Sequence, residues 1–201
     1  MPVRLRITFL FALIVFFILS LVCGSVFYFS HANRVRNITT RLTNRAITTA
    51  RLLSQSEVFD RNLIRKIDSS TNLAMSMKSV QAYDYLNERI YVYTDAPNDT
   101  LKISEAILDE ARIRGSVYFN MGRKDVIAYH YIKNDYRIVM VVGAVDGDGR
   151  LKLQHLRVIL WLSLIGGLFV TILGGYIFSE RLLRPIRKIA DDVNEISARS
   201  L

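Results

Sequence analysis

The stretch VILWLSLIGGLFVTILGGYIF, Val158–Phe178, running without a break into SERLLRPIRKI, Ser179–Ile189, decides the architecture of this chain. Its 21 uncharged residues match the roughly 20 that a helix needs to cross a bilayer core. Arg181, Arg184, Arg187 and Lys188 follow at once, the basic flank expected on the cytoplasmic side. From there Leu182, Ile186, Ile189, Val193 and Ile196 recur at alternating steps of four and three, the seam of a coiled coil. Pro185 lies inside that pattern, cannot donate to the carbonyl of Arg181 and predicts a local kink. A helix lying on lipid headgroups is the plainer reading of such a basic segment. Asp191 and Asp192 and the narrow seam favour a parallel partner helix instead.

Toward the N-terminus a second apolar run, Ile7–Phe29, spans 23 residues without a charge. A cleaved signal peptide is the competing reading, since Arg4 and Arg6 precede it. Signal cores run only about 7–15 residues and end at a small-x-small site, which is missing here. Cys23 follows Val22, where lipoprotein processing needs a small residue. An uncleaved anchor is expected. Basic residues flank the chain-terminal ends of both runs, Arg4 and Arg6 before the first and Arg181 to Lys188 after the second, so both termini are expected inside and the middle outside. The expected division is 1–6 cytoplasmic, 7–30 first span, 31–157 extracytoplasmic domain, 158–178 second span and 179–201 cytoplasmic helix. The net charge of +9 on 201 residues belongs to solvated faces and membrane flanks, so nucleic acid is not an expected partner. Cys23 is the only cysteine and lies within a span, which leaves the outer domain to an ordinary apolar core.

Between the spans the periodicity changes twice. Val35, Ile38, Leu42, Ala46, Ala50 and Leu53 recur at helical spacing, with Arg34, Arg41, Arg45 and Arg51 elsewhere. Pro and Gly are absent from Ser25 to Ala96, so one long helix is predicted from His31 to about Asp68. Asp68–Asn72 is the first plausible turn. Arg89–Thr94, Ser116–Met121, Asp125–Lys133 and Tyr136–Val145 read as strands, joined after the second by hairpin turns at Gly122–Asp125 and Asn134-Asp135. Ser104–Arg114 reads as a short helix capped by Ser104, with Ile107, Leu108 and Ala111 inward and Gly115 as its stop. The expected fold class is α+β: a small antiparallel sheet of four strands packed on the long N-terminal helix. Asp146–Gly149 ends the sheet, and Arg150–Arg157 leads as helix into the second span.

Few residues are arranged for chemistry. Ser163, Gly167, Thr171 and Gly175 fall every fourth residue, a spacing that lets helices approach closely in lipid, although glycine is common in membrane helices anyway. Tyr91, Tyr93, Tyr118, Tyr129, Tyr131 and Tyr136 form the one dense aromatic set of the outer domain. They suit the wall of a ligand pocket, and equally a sheet core. His31 and His155 flank the outer ends of the spans, where they suit interfacial anchoring or proton or metal sensing. His130 alternates with two tyrosines and faces away from them, toward a pocket or toward solvent. Asp146-Gly-Asp-Gly149 fails as a calcium loop, because Arg150 and Arg157 stand where further oxygen ligands are needed. No catalytic residue set, metal-ligand spacing or phosphate loop is expected.

Arg184-Pro185-Ile186, with Ile189, Val193, Ile196 and Leu201, resembles the first helix of a HAMP linker, a parallel dimeric four-helix bundle of bacterial receptors. Ala144-Val145-Asp146, with Gly149, Arg150, Leu153, Leu156 and Arg157, is similar to the membrane-proximal end of the sensor domain in bacterial sensor histidine kinases. The resemblance covers both spans, the outer domain in outline and half of a HAMP linker. It implies a PAS-like extracytoplasmic domain, a homodimer in the bacterial inner membrane, and the sensor portion of a longer ATP-dependent protein-histidine kinase. The second HAMP helix, the phosphoacceptor histidine box and the ATP lid are missing from these residues. ATP, magnesium and a response regulator are therefore expected only of a kinase core outside this sequence, and the chain itself carries no cofactor. A chemoreceptor or cyclase with the same linker, or a membrane-anchored protein-binding domain, are the alternatives. The stimulus, an extracytoplasmic ligand, is not encoded in any motif.

Overall fold

The structure, a computed structural model, describes residues 3–55, 60–70, 75–96, 99–134 and 136–199; for 3–5, 7, 61, 70 and 179–199 it describes backbone only. The elements are α1 (Val3–Ser54), α2 (Arg61–Ser70), β1 (Ser76–Tyr83), β2 (Arg89–Thr94), α3 (Glu105–Arg114), β3 (Ser116–Met121), β4 (Lys124–Lys133), β5 (Tyr136–Val145) and α4 (Gly147–Arg199). They form two compact units, one of Met1–Ser30 with Leu153–Leu201, the other of His31–Lys152.

Two helical stretches, Thr8–Ser54 and Gly147–Phe178, each supply a segment long and apolar enough to cross a membrane. Their large apolar side chains are turned outward: Phe9, Phe17, Leu21, Trp161, Phe169 and Phe178 are all exposed. A helix apolar all round has that character when hydrocarbon rather than water surrounds it.

The second unit is a five-stranded antiparallel sheet in the order β2-β1-β5-β4-β3, covered by helices on both faces. Ile38, Leu42, Ala46, Ala50 and Leu53 of α1 and Ile64 of α2 pack on Val80, Ala82, Tyr91, Ile127, Ile138, Met140 and Val142. On the opposite face Leu108 and Ala111 of α3, with Leu101, meet Val126, Ala128, Val139 and Val141. Being covered twice, β5 reads as the continuous apolar run IVMVVGAV rather than an alternation. The hairpin turns fall where the sequence places them. Gly122-Arg123 joins the paired Met121 and Lys124 with Gly122 at φ 60°, a conformation glycine adopts without penalty. Lys124 already belongs to β4, so that turn is tighter than expected.

Two expectations fail. The helix predicted from His31 to Asp68 stops at Ser54, and a separate helix, α2, begins at Arg61. No proline or glycine forces the break. The reversal brings Ile64 and Asp68 back against α1, where both are almost fully buried, and that burial outweighs local helix propensity. The sheet also has a fifth strand, β1, which the pattern SMKSVQAY conceals. It is an interior strand whose α3-facing residues are Ser79, Gln81 and Tyr83, so polar residues stand where apolar ones are expected. The Gln81 carbonyl oxygen accepts a hydrogen bond from the Tyr83 hydroxyl at 2.7 Å, while its buried amide nitrogen has no hydrogen-bond partner among the described residues.

Candidate functional site

The apolar stripe of α1 contains a charge at its start. Arg34 is one helical turn before Ile38 and lies on the same side, toward the sheet. On sequence Arg34 and Arg45 are expected off the apolar stripe, and the inward position of both is a correction. Arg34 Nη2 donates to Asp125 Oδ2 at 2.6 Å and its Nε to Asp146 Oδ2 at 2.8 Å. Asp125 is the second residue of β4 and Asp146 the residue just before α4, so one guanidinium joins α1, the sheet and the first turn of α4.

Each carboxylate has further work. The Tyr118 hydroxyl of β3 donates to Asp125 at 2.5 Å. Arg150 approaches Asp125 at 3.6 Å while donating to the Arg123 carbonyl at 2.8 Å. Asp146 Oδ1 accepts the Gly149 backbone N–H at 3.0 Å, the bond of a helix N-cap. Two arginines thus face two buried carboxylates, and the node is balanced in charge. Burial opposes the charge of Arg34, but its bonds to Asp146 and Asp125 prevail and hold it above its ordinary value. Burial first, then the bond to Asp125, raises the Tyr118 phenol to about 12.

Gly149 is the residue that makes this geometry possible. A Cβ there would fall on the Asp146 carboxylate, whereas one at Gly147 would meet nothing within 4 Å. Gly149→Ala is therefore expected to displace the cap and its bond to Arg34, costing about 1–2 kcal/mol despite alanine's better helix propensity. Gly147→Ala, the control, is expected to leave stability unchanged or raise it. Thermal unfolding of the two variants checks the pair.

A second buried node lies farther along α1. Asp68 of α2 accepts from Arg45, from Thr49 Oγ1 at 3.3 Å and from the Tyr91 hydroxyl of β2 at 2.7 Å. Burial raises the Asp68 carboxyl above its ordinary value, against the opposing pull of Tyr91, Arg45 and Thr49. The Tyr91 phenol is raised as well, by burial and by its bond to Asp68. Beside the node is a cavity of about 10 Å³ bordered by Leu42, Val80, Tyr93 and Val142, room for about one water.

The five candidate pocket tyrosines share the α1-facing side of the sheet. Tyr91 and Tyr131 are buried there, and Tyr93, Tyr118 and Tyr129 pack around them. Three of their hydroxyls are committed to carboxylates: Tyr91 to Asp68, Tyr118 to Asp125, and Tyr93 to Asp95 at 2.8 Å. Burial and that last bond raise Tyr93 to about 12. On the outer border of β2, Arg65 and Arg89 flank an open recess of about 220 Å³ edged by Ile90, Tyr91 and Val92. Neither arginine has a carboxylate partner among the described residues. His130 is half-buried on the α3 side, its Nδ1 3.2 Å from the Arg112 carbonyl.

Within the first unit, Gly167 and Gly175 of α4 meet α1. A Cβ at Gly167 would stand 3.0 Å from Leu19 Cδ1, and one at Gly175 3.2 Å from Thr8 Cγ2. Thr171 turns its hydroxyl back to the Gly167 carbonyl at 2.7 Å, and Ser163 is exposed. The α4 backbone is helical through Pro185 to Arg199. The side chains of Leu182, Pro185, Ile186, Ile189, Val193 and Ile196 lie outside the described residues.

The sequence offered a signal for both nodes. Positions 34, 38, 42, 45, 46, 49 and 50 fall within one half of the helix, so spacing permits Arg34 and Arg45 to join the border of the inward stripe, although their charge argues against it. Their partners Asp125, Asp146 and Asp68 come from 91, 112 and 23 residues away and only the fold assembles them. Among the described residues no group of three or more His, Cys, Asp or Glu is placed to hold a metal ion. Compared with known proteins, the chain matches no family model and no curated sequence.

Proposed function

We propose that this chain is the receptor portion of a two-component sensor histidine kinase, carrying an extracytoplasmic stimulus to a cytoplasmic kinase core beyond Leu201. The observation that carries this reading is the Arg34 node: Asp146 both caps α4 and binds α1, and Arg34 shares its charge with Asp125 of the sheet. A change in the sheet's packing on α1 would alter that cap, at the start of the helix that continues as the second apolar segment. The five-stranded antiparallel sheet lying against a long N-terminal helix supports a PAS-like sensor domain. Two helices of spanning length support an inner-membrane protein. In this reading both termini are cytoplasmic, the working form is a homodimer, and Pro185 with the Leu182–Ile196 seam passes the shift onward.

A ligand shifts such an equilibrium only by its differential affinity for the two states, and a coupling of about 1–3 kcal/mol is typical. ATP, magnesium and a response regulator belong to the kinase core in this reading, as they would not in a chemoreceptor, a cyclase or a passive anchor. The deciding experiment fuses residues 1–201 to a HAMP-completed kinase core and inserts one or two residues after Pro185. Autophosphorylation is expected to be lost or locked by these phase shifts. Unchanged output would favour the anchor. Compartment reporters placed after Thr100 and after Leu201 should report opposite sides, and a shared side removes the topology.

A further inference from the structure

Near its upper end the paired-helix unit contains a groove of about 330 Å³, lined by Ser20, Cys23, Gly24 and Phe27 of α1 and by Arg157, Leu160, Trp161 and Leu164 of α4. Its walls are mostly apolar, and Gly24 borders open space, since a Cβ there would meet nothing within 4 Å. One charge stands at its rim. The Arg157 guanidinium lies 5.6 Å from the centre of the Phe27 ring, a cation–π contact that occupies its face and leaves its edge N–H groups available. Arg157 has no acidic partner among the described residues. Trp161 is one helical turn further in, about 6 Å along the axis.

We propose that this groove is a binding site for an anionic phospholipid, with an acyl chain lying against Phe27, Leu160, Trp161 and Leu164 and the headgroup phosphate on Arg157. The chemistry matches at both ends. A lone cation beside an apolar channel suits a molecule that carries one anion on a hydrocarbon tail. A guanidinium pairs with phosphate through parallel N–H bonds. A second copy of this chain would bring another apolar helix but the same Arg157, and so no counter-charge. The inference rests on the reading of Thr8–Phe29 and Val158–Phe178 as membrane-embedded, and the test separates the two.

Trp161 is the only tryptophan of the chain, so tryptophan fluorescence comes from this one groove-lining side chain, and the excess of one lipid over the other separates the groove from surrounding lipid. The full chain is reconstituted in phosphatidylcholine vesicles holding a small fraction of phosphatidylglycerol. The bromine label, placed high on the acyl chain, is carried in turn by one lipid or the other. Brominated phosphatidylglycerol is expected to quench Trp161 beyond its mole fraction, by about fivefold in occupancy, the size expected of one arginine at an anionic surface. Arg157→Gln should abolish that excess while quenching by brominated phosphatidylcholine persists. Gly24→Leu should abolish it too, by filling the groove. Equal quenching by both lipids, or an excess that survives either substitution, overturns the site. No quenching by any brominated lipid overturns the membrane reading, and the site with it.

Discussion

Replacing Arg34 with alanine is expected to lower the stability of the His31–Lys152 unit by about 3–5 kcal/mol, the usual cost of stranding a buried charge without its partner. Asp125 and Asp146 are both nearly inaccessible to solvent, and each receives its principal cationic bond from Arg34. Arg150 remains only as a longer-range partner of Asp125 at 3.6 Å. Denaturation of the detergent-solubilised full chain, followed by tyrosine signals, measures the loss. The triple variant Arg34→Met, Asp125→Asn, Asp146→Asn separates stability from coupling. It removes the three buried charges together, which is often near neutral, leaves Arg150 partly exposed to solvent, and asparagine still caps a helix. It should recover most of the stability, yet, on the proposed function, a kinase fusion carrying it should no longer respond to changes in the His31–Lys152 unit. A loss below about 1 kcal/mol for Arg34→Ala would mean the node is solvated and is no mechanical joint.

Asp68→Ala is expected to be the next most damaging change, at about 3 kcal/mol, because it leaves Arg45 charged and buried and takes the acceptor from Thr49 and Tyr91. Its pH dependence has a definite sign. Burial raises the folded-state carboxyl of Asp68 above its ordinary value of 3.8, so the folded protein holds that proton more tightly than the unfolded chain. The contribution of Asp68 is therefore whole below pH 3.8 and declines as pH rises through the higher folded value. The margin of the native protein over Asp68→Asn, which does not titrate there, should shrink over that interval. A margin that grows with pH would show that Arg45 and Tyr91 outweigh burial. The tyrosines add a signal at the alkaline end. The contribution of Tyr118 is whole below its ordinary value of 10 and is lost as pH rises through about 12.

What could be read from sequence followed the apolar period. The two apolar helical segments of spanning length, β2 at Arg89–Thr94, α3 and the Gly122-Arg123 hairpin turn each have a local signature, and each stands where that signature puts it. Ser104 takes the N-cap position of α3 but makes no side-chain cap bond; its carbonyl receives Ile107 at 3.1 Å instead. β1 escaped because an interior strand with Ser79 and Gln81 on one face has no alternation to detect. The break after Ser54 escaped because its cause is tertiary: Asp68 gains Arg45 and Tyr91 only after the chain reverses. The candidate site was hidden for the same reason. A buried ion pair is invisible in composition, where Arg34 and Asp146 count as two more surface charges.

The recess on the outer border of β2 bears on how copies of this protein can meet. An open strand edge normally invites a second molecule to extend the sheet. Here Arg65 and Arg89 guard that border without counter-ions among the described residues. Two such borders brought together would crowd four like charges, so ribbon-like stacking through β2 is electrostatically barred, and the protein is protected from fibre growth along that margin.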